Sequence, residues 1–176
     1  GPAGPIVLQA RTPVVALDGR SVYWLDNSGK TPIDQVADGS AANWAARPAG
    51  QQYNIDGKAL WIRFDVLEPD PVGHWYLELA SSGLDRVQLF RRGDDGAWIV
   101  QEAGDSRAVS DWPLPGRFPT FEVVGQPGGV TRYWLRIEHA RVDFATPIAI
   151  VNQATVTASR EREQLLLGAY FGLVAL

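Results

Sequence analysis

The sequence contains no cysteine, which excludes disulfide frameworks and thiolate metal sites. It also contains no methionine, so we expect this chain to be a piece cut from a longer protein. Residues 1–5 resemble a cloning remnant or a trimmed start, because no charged and then apolar signal peptide follows them. The absence of cysteine leaves the cellular compartment open, since it suits the cytosol and an export route equally.

Neither sign of charge is concentrated along the chain. The formal net charge is −4, and the lysines and arginines are scattered apart from short pairs such as Arg91-Arg92. Nucleic-acid-binding domains carry a basic patch or stripe, and none is visible in this pattern. The sequence therefore argues against a nucleic-acid partner.

The residues of common enzyme sites are also missing. No Gly-x-Ser-x-Gly and no phosphate-binding loop occurs, and the two histidines, His74 and His139, lie far apart on or beside predicted strands, where we expect structural roles. Asp94 and Asp95 lie in a glycine-flanked turn, where aspartate is common for turn chemistry alone, and the spacing matches no calcium loop. We therefore predict no catalytic residues, no metal and no cofactor for this chain.

Most of residues 14–151 consists of short aromatic and β-branched runs separated by Gly, Pro, Asp and Asn, which is typical of all-β domains. Residues 60–67 alternate strongly, with Leu60, Ile62 and Phe64 on one predicted core face. Residues 131–138 alternate in the same way, and residues 84–90 are predicted to be the neighbouring strand of residues 74–80. About eight to ten strands indicate a jelly-roll-like β-sandwich formed by residues 6–151.

At the end of the chain, the strand-like alternation of apolar and polar residues stops and a helix-like pattern begins. Residues 153–176 contain no proline and only two glycines, which predicts one helix. Residues 165–176 carry no charge but fall short of the roughly 20 residues that span a membrane. We predict that residues 152–176 are a juxtamembrane helix and the truncated first transmembrane span; the alternative is a buried C-terminal core helix. Without a membrane, the apolar tail is expected to pack against its own sandwich or a second copy.

Aromatic residues and arginines supply the best candidate binding chemistry. Aromatic rings form apolar walls in ligand sites, and arginine forks clamp carboxylates, phosphates or sugar hydroxyls. Residues 102–119 form a long loop, and such loops are often functional. The predicted cleft combines three strand residues with three loop residues: Arg63, Trp75, Arg86, Arg107, Trp112 and Arg117. The alternative is that the tryptophans belong to the core.

The order of several motifs resembles one family, the extracytoplasmic 7TMR-DISM extracellular domain 2 of bacterial seven-transmembrane receptors. The motifs are Trp61-x-Arg63-Phe64, Trp75-Tyr-Leu-Glu-Leu79, Leu84-Asp-x-Val-x-Leu-Phe90, Tyr133-Trp-Leu-Arg136 and Gly168-x-Tyr-x-Gly172. The resemblance implies a periplasmic jelly-roll module, similar in shape to carbohydrate-binding domains. It further implies an inner-membrane helical bundle and a cytoplasmic output after the module, typically a diguanylate cyclase or a histidine kinase.

The sequence thus predicts a periplasmic domain that senses a small molecule, either a carbohydrate or an anion. The favoured output of the parent protein is a diguanylate cyclase, and the alternative output is a sensor histidine kinase. Two other classes stay open: a dimerisation or interaction module, and a secreted lectin-like carbohydrate-binding domain.

Overall fold

The computed structural model describes residues 4–9, 11, 13–68, 73–125 and 128–174, with the backbone alone at residues 166, 167, 170, 171, 173 and 174. This part of the chain contains eleven strands and two α-helices. In chain order they are β1 (Ile6–Val7), β2 (Val14–Ala16), β3 (Val22–Asp26), α1 (Ile33–Ala37), β4 (Ala45–Ala46), β5 (Ala59–Leu67), β6 (Trp75–Leu79), β7 (Arg86–Arg92), β8 (Trp98–Ala103), β9 (Thr120–Val123), β10 (Val130–Glu138), β11 (Ile148–Asn152) and α2 (Gln153–Val174).

The strands form two sheets. The seven-stranded sheet has the order β4-β3-β5-β10-β7-β8, and β1 adds a short parallel pairing at the end of β5. The four-stranded sheet has the order β2-β11-β6-β9. All other pairings are antiparallel, so the predicted all-β class is confirmed, with one C-terminal helix.

One apolar core fills the space between the sheets. Leu60, Ile62 and Phe64 of β5 point into it, as their alternation predicts. Phe64 stacks on Tyr133 of β10 with ring centroids 5.4 Å apart, and the four-stranded sheet contributes residues such as Leu77. Burying a large apolar side chain contributes about 1.5–3 kcal/mol, so this shared core is the main attraction between the sheets.

Polar contacts join the sheets where their edges meet. The Gln101 amide on β8 donates to the Glu122 carbonyl on β9 and accepts from the Glu122 N–H, both at 2.9 Å. The hydroxyl of Tyr133 donates to the carbonyl of Val124 and accepts from its N–H. Burial raises the pKa of Tyr133 to about 12, so the hydroxyl keeps its proton and this paired contact at neutral pH.

The prediction that β6 and β7 are neighbouring strands is wrong. β6 pairs with β11 and β9 in the smaller sheet, whereas β7 pairs with β10 and β8 in the larger one. The short connection through residues 80–85 crosses from one sheet to the other. The glycine-flanked turn at Asp94 and Asp95 joins β7 to β8 as a hairpin, with Gly96 at a φ of 79°.

Helix α2 follows β11 without a loop. The side-chain oxygen of Asn152 accepts hydrogen bonds from the backbone N–H and the hydroxyl of Thr155, which is an N-terminal cap. Val156 is buried, and the helix packs against β11 and β6. The predicted change from strands to a helix near residue 152 is therefore confirmed.

The distal half of α2 leaves the sandwich. Leu165 is 74% exposed, and no atom lies within 4 Å of a Cβ built at Gly168 or Gly172. Leu165, Gly168 and Gly172 thus do not show the expected packing on the chain's own sandwich, and packing against a second copy stays a prediction. Within the described residues, no helical segment reaches the length and hydropathy of a membrane span. Residues 175 and 176 of the predicted span lie outside them.

Replacing Asn152 by alanine tests the helix cap. We expect N152A to lower the free energy of unfolding by about 1 kcal/mol, because the first turn loses its acceptor. Thermal unfolding and far-ultraviolet circular dichroism measure the effect. N152D, which keeps an acceptor oxygen, is the control and should stay near the original stability. Equal losses in both variants would show that the side chain does not act as a cap.

Replacing Gly104 by alanine tests whether the loop after β8 packs closely against the start of β7. Its φ is 119°, and a Cβ there would lie 2.7 Å from the carbonyl oxygen of Asp85. We expect G104A to reduce the free energy of unfolding by more than about 1 kcal/mol, measured by urea denaturation. G19A is the control, because Gly19 has a positive φ but open space around it. The account requires G104A to be clearly the more destabilising change.

Candidate ligand-binding face

The outer face of the seven-stranded sheet presents side chains in register. Because alternate residues of a strand point to opposite faces, the residues between the core positions of β3, β5, β10, β7 and β8 all face outward. They form two rows across the sheet. One row is Trp24, Trp61, Arg136, Gln88 and Glu102, and the next is Val22, Arg63, Trp134, Phe90 and Val100.

Tryptophan dominates this surface. Five of the seven tryptophans of the chain belong to a second apolar cluster on the outer face, which we call the tryptophan face: Trp24, Trp44, Trp61, Trp98 and Trp134. Trp98 and Trp134 pack edge to face at 5.3 Å, a favourable geometry for aromatic pairs. The large sheet therefore has an apolar cluster on both sides.

Helix α1 covers part of the tryptophan face. Val36 is fully buried there against the cluster. The indole N–H of Trp98 donates to Asp34 at 2.8 Å, and the guanidinium of Arg92 lies 3.8 Å from the centre of the Trp98 ring. These contacts hold α1 against the β7–β8 hairpin. Trp24 and Trp44 are only partly buried.

Arg63 is the most available donor on this face. Its guanidinium lies 4.9 Å from the centre of the Trp44 ring, and within the described residues no hydrogen bond or ion pair engages it. Burial, and then the charge of Arg132, lower its pKa. The nearby Asp65 is already bound by Arg132 through two bonds of 2.8 and 3.1 Å. Arg63 is thus a partly desolvated fork beside an indole ring.

Two further donors on the face lack acceptors. The indole nitrogens of Trp61 and Trp134 are buried and have no hydrogen-bond partner in the described part of the chain. An unpaired buried donor costs about 1–3 kcal/mol. Trp134 lies opposite Arg63 in the pairing of β10 with β5.

A network of ion pairs borders the tryptophan face. Glu102 accepts hydrogen bonds from Arg86 at 2.8 Å and from Gln88 at 2.9 Å, and the Nε of Arg107 lies 3.5 Å away. Arg136 lies 2.8 Å from Glu138 and donates to a backbone carbonyl at 2.7 Å. These arginines are already engaged, in contrast to Arg63.

The structure does not bring the six predicted binding residues together, so the prediction of a single cleft is wrong. Arg63 and Arg86 share the outer face, and Arg107 joins Arg86 through Glu102. Arg117 lies in a separate groove beside α2.

Two of the six residues are core residues. Trp75 is 2% exposed, because it is in phase with Leu77 and Leu79, which β6 also turns inward. Trp112 is 7% exposed, and its indole N–H donates to the carbonyl of Gly104. The prediction that these two tryptophans join the arginines in one cleft fails. Trp112 fills the space between the sheets, and Trp75 lies at the edge of the core, where it lines a separate cavity with His74 and Asn152.

The sequence prediction missed several residues of the tryptophan face. Trp24 had a usable signal, since it alternates with Tyr23 and Leu25, which pack on the main core. Trp44 lies in an irregular segment, where no periodicity predicts the direction of a side chain. Among the described residues, no three His, Asp or Glu side chains gather as a metal site would require.

Comparisons with known proteins give one matching family and weak likenesses to solved structures. No curated protein matches the sequence. Among solved structures, the crystal structure of Ruminococcus gnavus beta-glucuronidase aligns with 12% identity and a TM-score of 0.42. The alignment covers 86% of this chain and 30% of that enzyme chain.

A family model agrees with the resemblance carried by the motifs. The model described as 7TMR-DISM extracellular 2 matches residues 18–151, from the loop before β3 to the last strand. This range includes β3 to β10, nearly all of β11 and the whole tryptophan face, and it leaves out β1 and β2. The chain therefore belongs to the 7TMR-DISM extracellular 2 family.

Proposed function

We propose that this chain is the periplasmic sensory domain of a bacterial receptor anchored in the inner membrane, and that it binds a carbohydrate bearing a negative charge. Residues 6–151 are the sensing unit, of jelly-roll type. Residues 152–176 are the juxtamembrane helix and the beginning of the first membrane helix. The observation that carries the ligand class is Arg63, an unpaired guanidinium stacked on Trp44 beside indole donors that lack acceptors.

The chemistry of this surface suits an acidic sugar. The apolar face of a pyranose packs against an exposed indole, for which Trp44 and Trp24 are placed. The fork of Arg63 matches a carboxylate through two parallel N–H bonds. A neutral sugar would use the rings but would leave the guanidinium without a charged partner. Arg86 and Arg107 are proposed as the polar border of the same site.

Signal output is proposed to pass through α2. The loop after β8 carries Arg107 at its start and reaches α2 farther on, where Arg160 donates a hydrogen bond to the carbonyl of Pro115. A ligand shifts such an arrangement only by its difference in affinity between two states. We propose that ligand binding beside Arg86 and Arg107 moves this loop and thereby α2. The proposed output of the parent protein is a diguanylate cyclase or, alternatively, a histidine kinase.

An interaction function is the second candidate. Leu165 is 74% exposed, and Gly168 and Gly172 present open helix surface four residues apart. This spacing permits close approach of two helices. In this candidate, a second copy contacts the distal half of α2 and the signal is dimerisation.

A titration with D-galacturonate tests the ligand proposal. We expect its addition to shift the indole N–H resonances of Trp44 and Trp134 in the NMR spectrum. R63A and W44A should weaken binding about tenfold or more, because a charged hydrogen-bonding partner or the stacking ring is lost. D-glucose should bind more weakly than D-galacturonate. R11A, a change at an exposed arginine outside the tryptophan face, is the matched control. Unaltered indole resonances at saturating sugar would contradict the proposal.

W112F separates binding from stability. Trp112 is a core residue whose N–H bonds to Gly104, so its replacement should lower the free energy of unfolding by about 1–3 kcal/mol. Because Trp112 lies off the tryptophan face, affinity for D-galacturonate at a temperature where the variant is folded should be unchanged. Calorimetric titration and urea denaturation measure the two effects. A loss of affinity without a loss of stability would indicate that Trp112 contacts the ligand and would contradict its assignment to the core.

A further inference from the structure

A second cavity lies between α2 and the four-stranded sheet, away from the tryptophan face. Its volume is about 280 Å³. The helix and the sandwich each supply half of its walls. The lining from α2 is Val156, Ser159, Arg160, Arg162 and Glu163, and the lining from β6, β9 and the preceding loop is Glu78, Gly116, Arg117, Phe118 and Thr120.

Both signs of charge line this cavity, and most of the charges are unpaired. Within the described residues, Glu78, Arg162 and Glu163 make no hydrogen bond or ion pair, and Arg117 stacks on Phe118 at 5.1 Å. Arg160 alone has a hydrogen bond, to a carbonyl of the loop. Three guanidinium groups and two carboxylates thus face one small space without neutralising one another.

Glu78 is the most costly of these groups. It lies in the middle of the sheet, and burial raises its pKa, with a further contribution from the charge of Glu163. A partly buried carboxylate without a cation lowers the stability of the folded state. Because the pKa is raised in the folded state, this cost is present at neutral pH and disappears when the pH falls below the ordinary glutamate range.

We propose that this cavity binds a free α-amino acid. The ammonium group lies between the carboxylates of Glu78 and Glu163, and the carboxylate group is bound by the guanidinium groups on the helix or the loop. A zwitterion fits better than a simple cation or anion, because either of those would leave the charges of its own sign on the wall unpaired. The size of the cavity admits an amino acid.

Such a ligand would stabilise one position of α2. It would touch the helix through Arg162 and Glu163 and the sandwich through Glu78 and Arg117, so it would bridge the two. The direct contacts of this part of the helix with the sandwich include the buried Val156 and the Arg160 hydrogen bond. Occupancy would therefore add attraction where the helix leaves the sheet, and an amino acid would act on the same helix as the proposed sugar.

Calorimetric titration of the whole chain with individual free L-amino acids tests the proposal. We expect at least one to bind with a stoichiometry of one at up to millimolar concentration. Two analogues of the bound amino acid serve as controls: the acid that lacks the amino group and the amine that lacks the carboxylate. For alanine these are propionate and ethylamine. Each should bind at least about tenfold more weakly than the amino acid. Failure of every amino acid to bind, or equal affinity for the acid or the amine, would overturn the proposal.

Variants locate the site. E78Q should weaken amino-acid binding about tenfold or more, while its melting temperature without ligand should stay equal or rise, because a partly buried, unpaired charge is removed. E161Q, on the same helix but outside the cavity lining, is the matched control and should bind normally. Affinity should also fall as the pH is lowered through the raised pKa of Glu78. R63A should leave amino-acid binding intact, which separates this proposal from the sugar proposal. Unchanged affinity in E78Q would overturn it.

Discussion

The phase of the alternation along β5 and β10 is the constraint on which the rest of the structure depends. Every second residue of these central strands enters the core between the sheets, and Phe64 stacks on Tyr133 there. The intervening residues must face outward, which places Trp61 and Trp134 on the opposite side of the sheet. A shift of register by one residue would exchange the two faces. Core packing and the proposed binding surface therefore depend on the same strand pairing.

The sequence predicts those features that depend on local periodicity. The strong alternation of β5 and β10 and the long helix α2 both follow from patterns within a few residues. The partner of β6 does not follow, because a short connection between two alternating strands is compatible with a hairpin and with a crossing between sheets. Only the burial of both sheets against one core distinguishes these arrangements.

The binding residues were harder to predict than the strands, for a related reason. Arg63 is correctly placed on the outer face because it alternates with core residues of β5. Trp75 has an aromatic ring that would suit a ligand site, but it alternates in phase with Leu77 and therefore lies in the core. Trp44 lies outside the strands, so no alternation predicts the direction of its side chain. Its position beside Arg63 depends on the path of an irregular segment in the folded chain. Chemistry in loops depends on contacts between residues distant in sequence.

The central claim is that the tryptophan face is the sensing surface of this extracellular domain. The most direct test is a crystal structure of the chain with saturating D-galacturonate. The account predicts a sugar ring packed on Trp44, with its carboxylate within hydrogen-bonding distance of the guanidinium of Arg63. A sugar bound elsewhere, or a tryptophan face left without sugar at saturation, would contradict it.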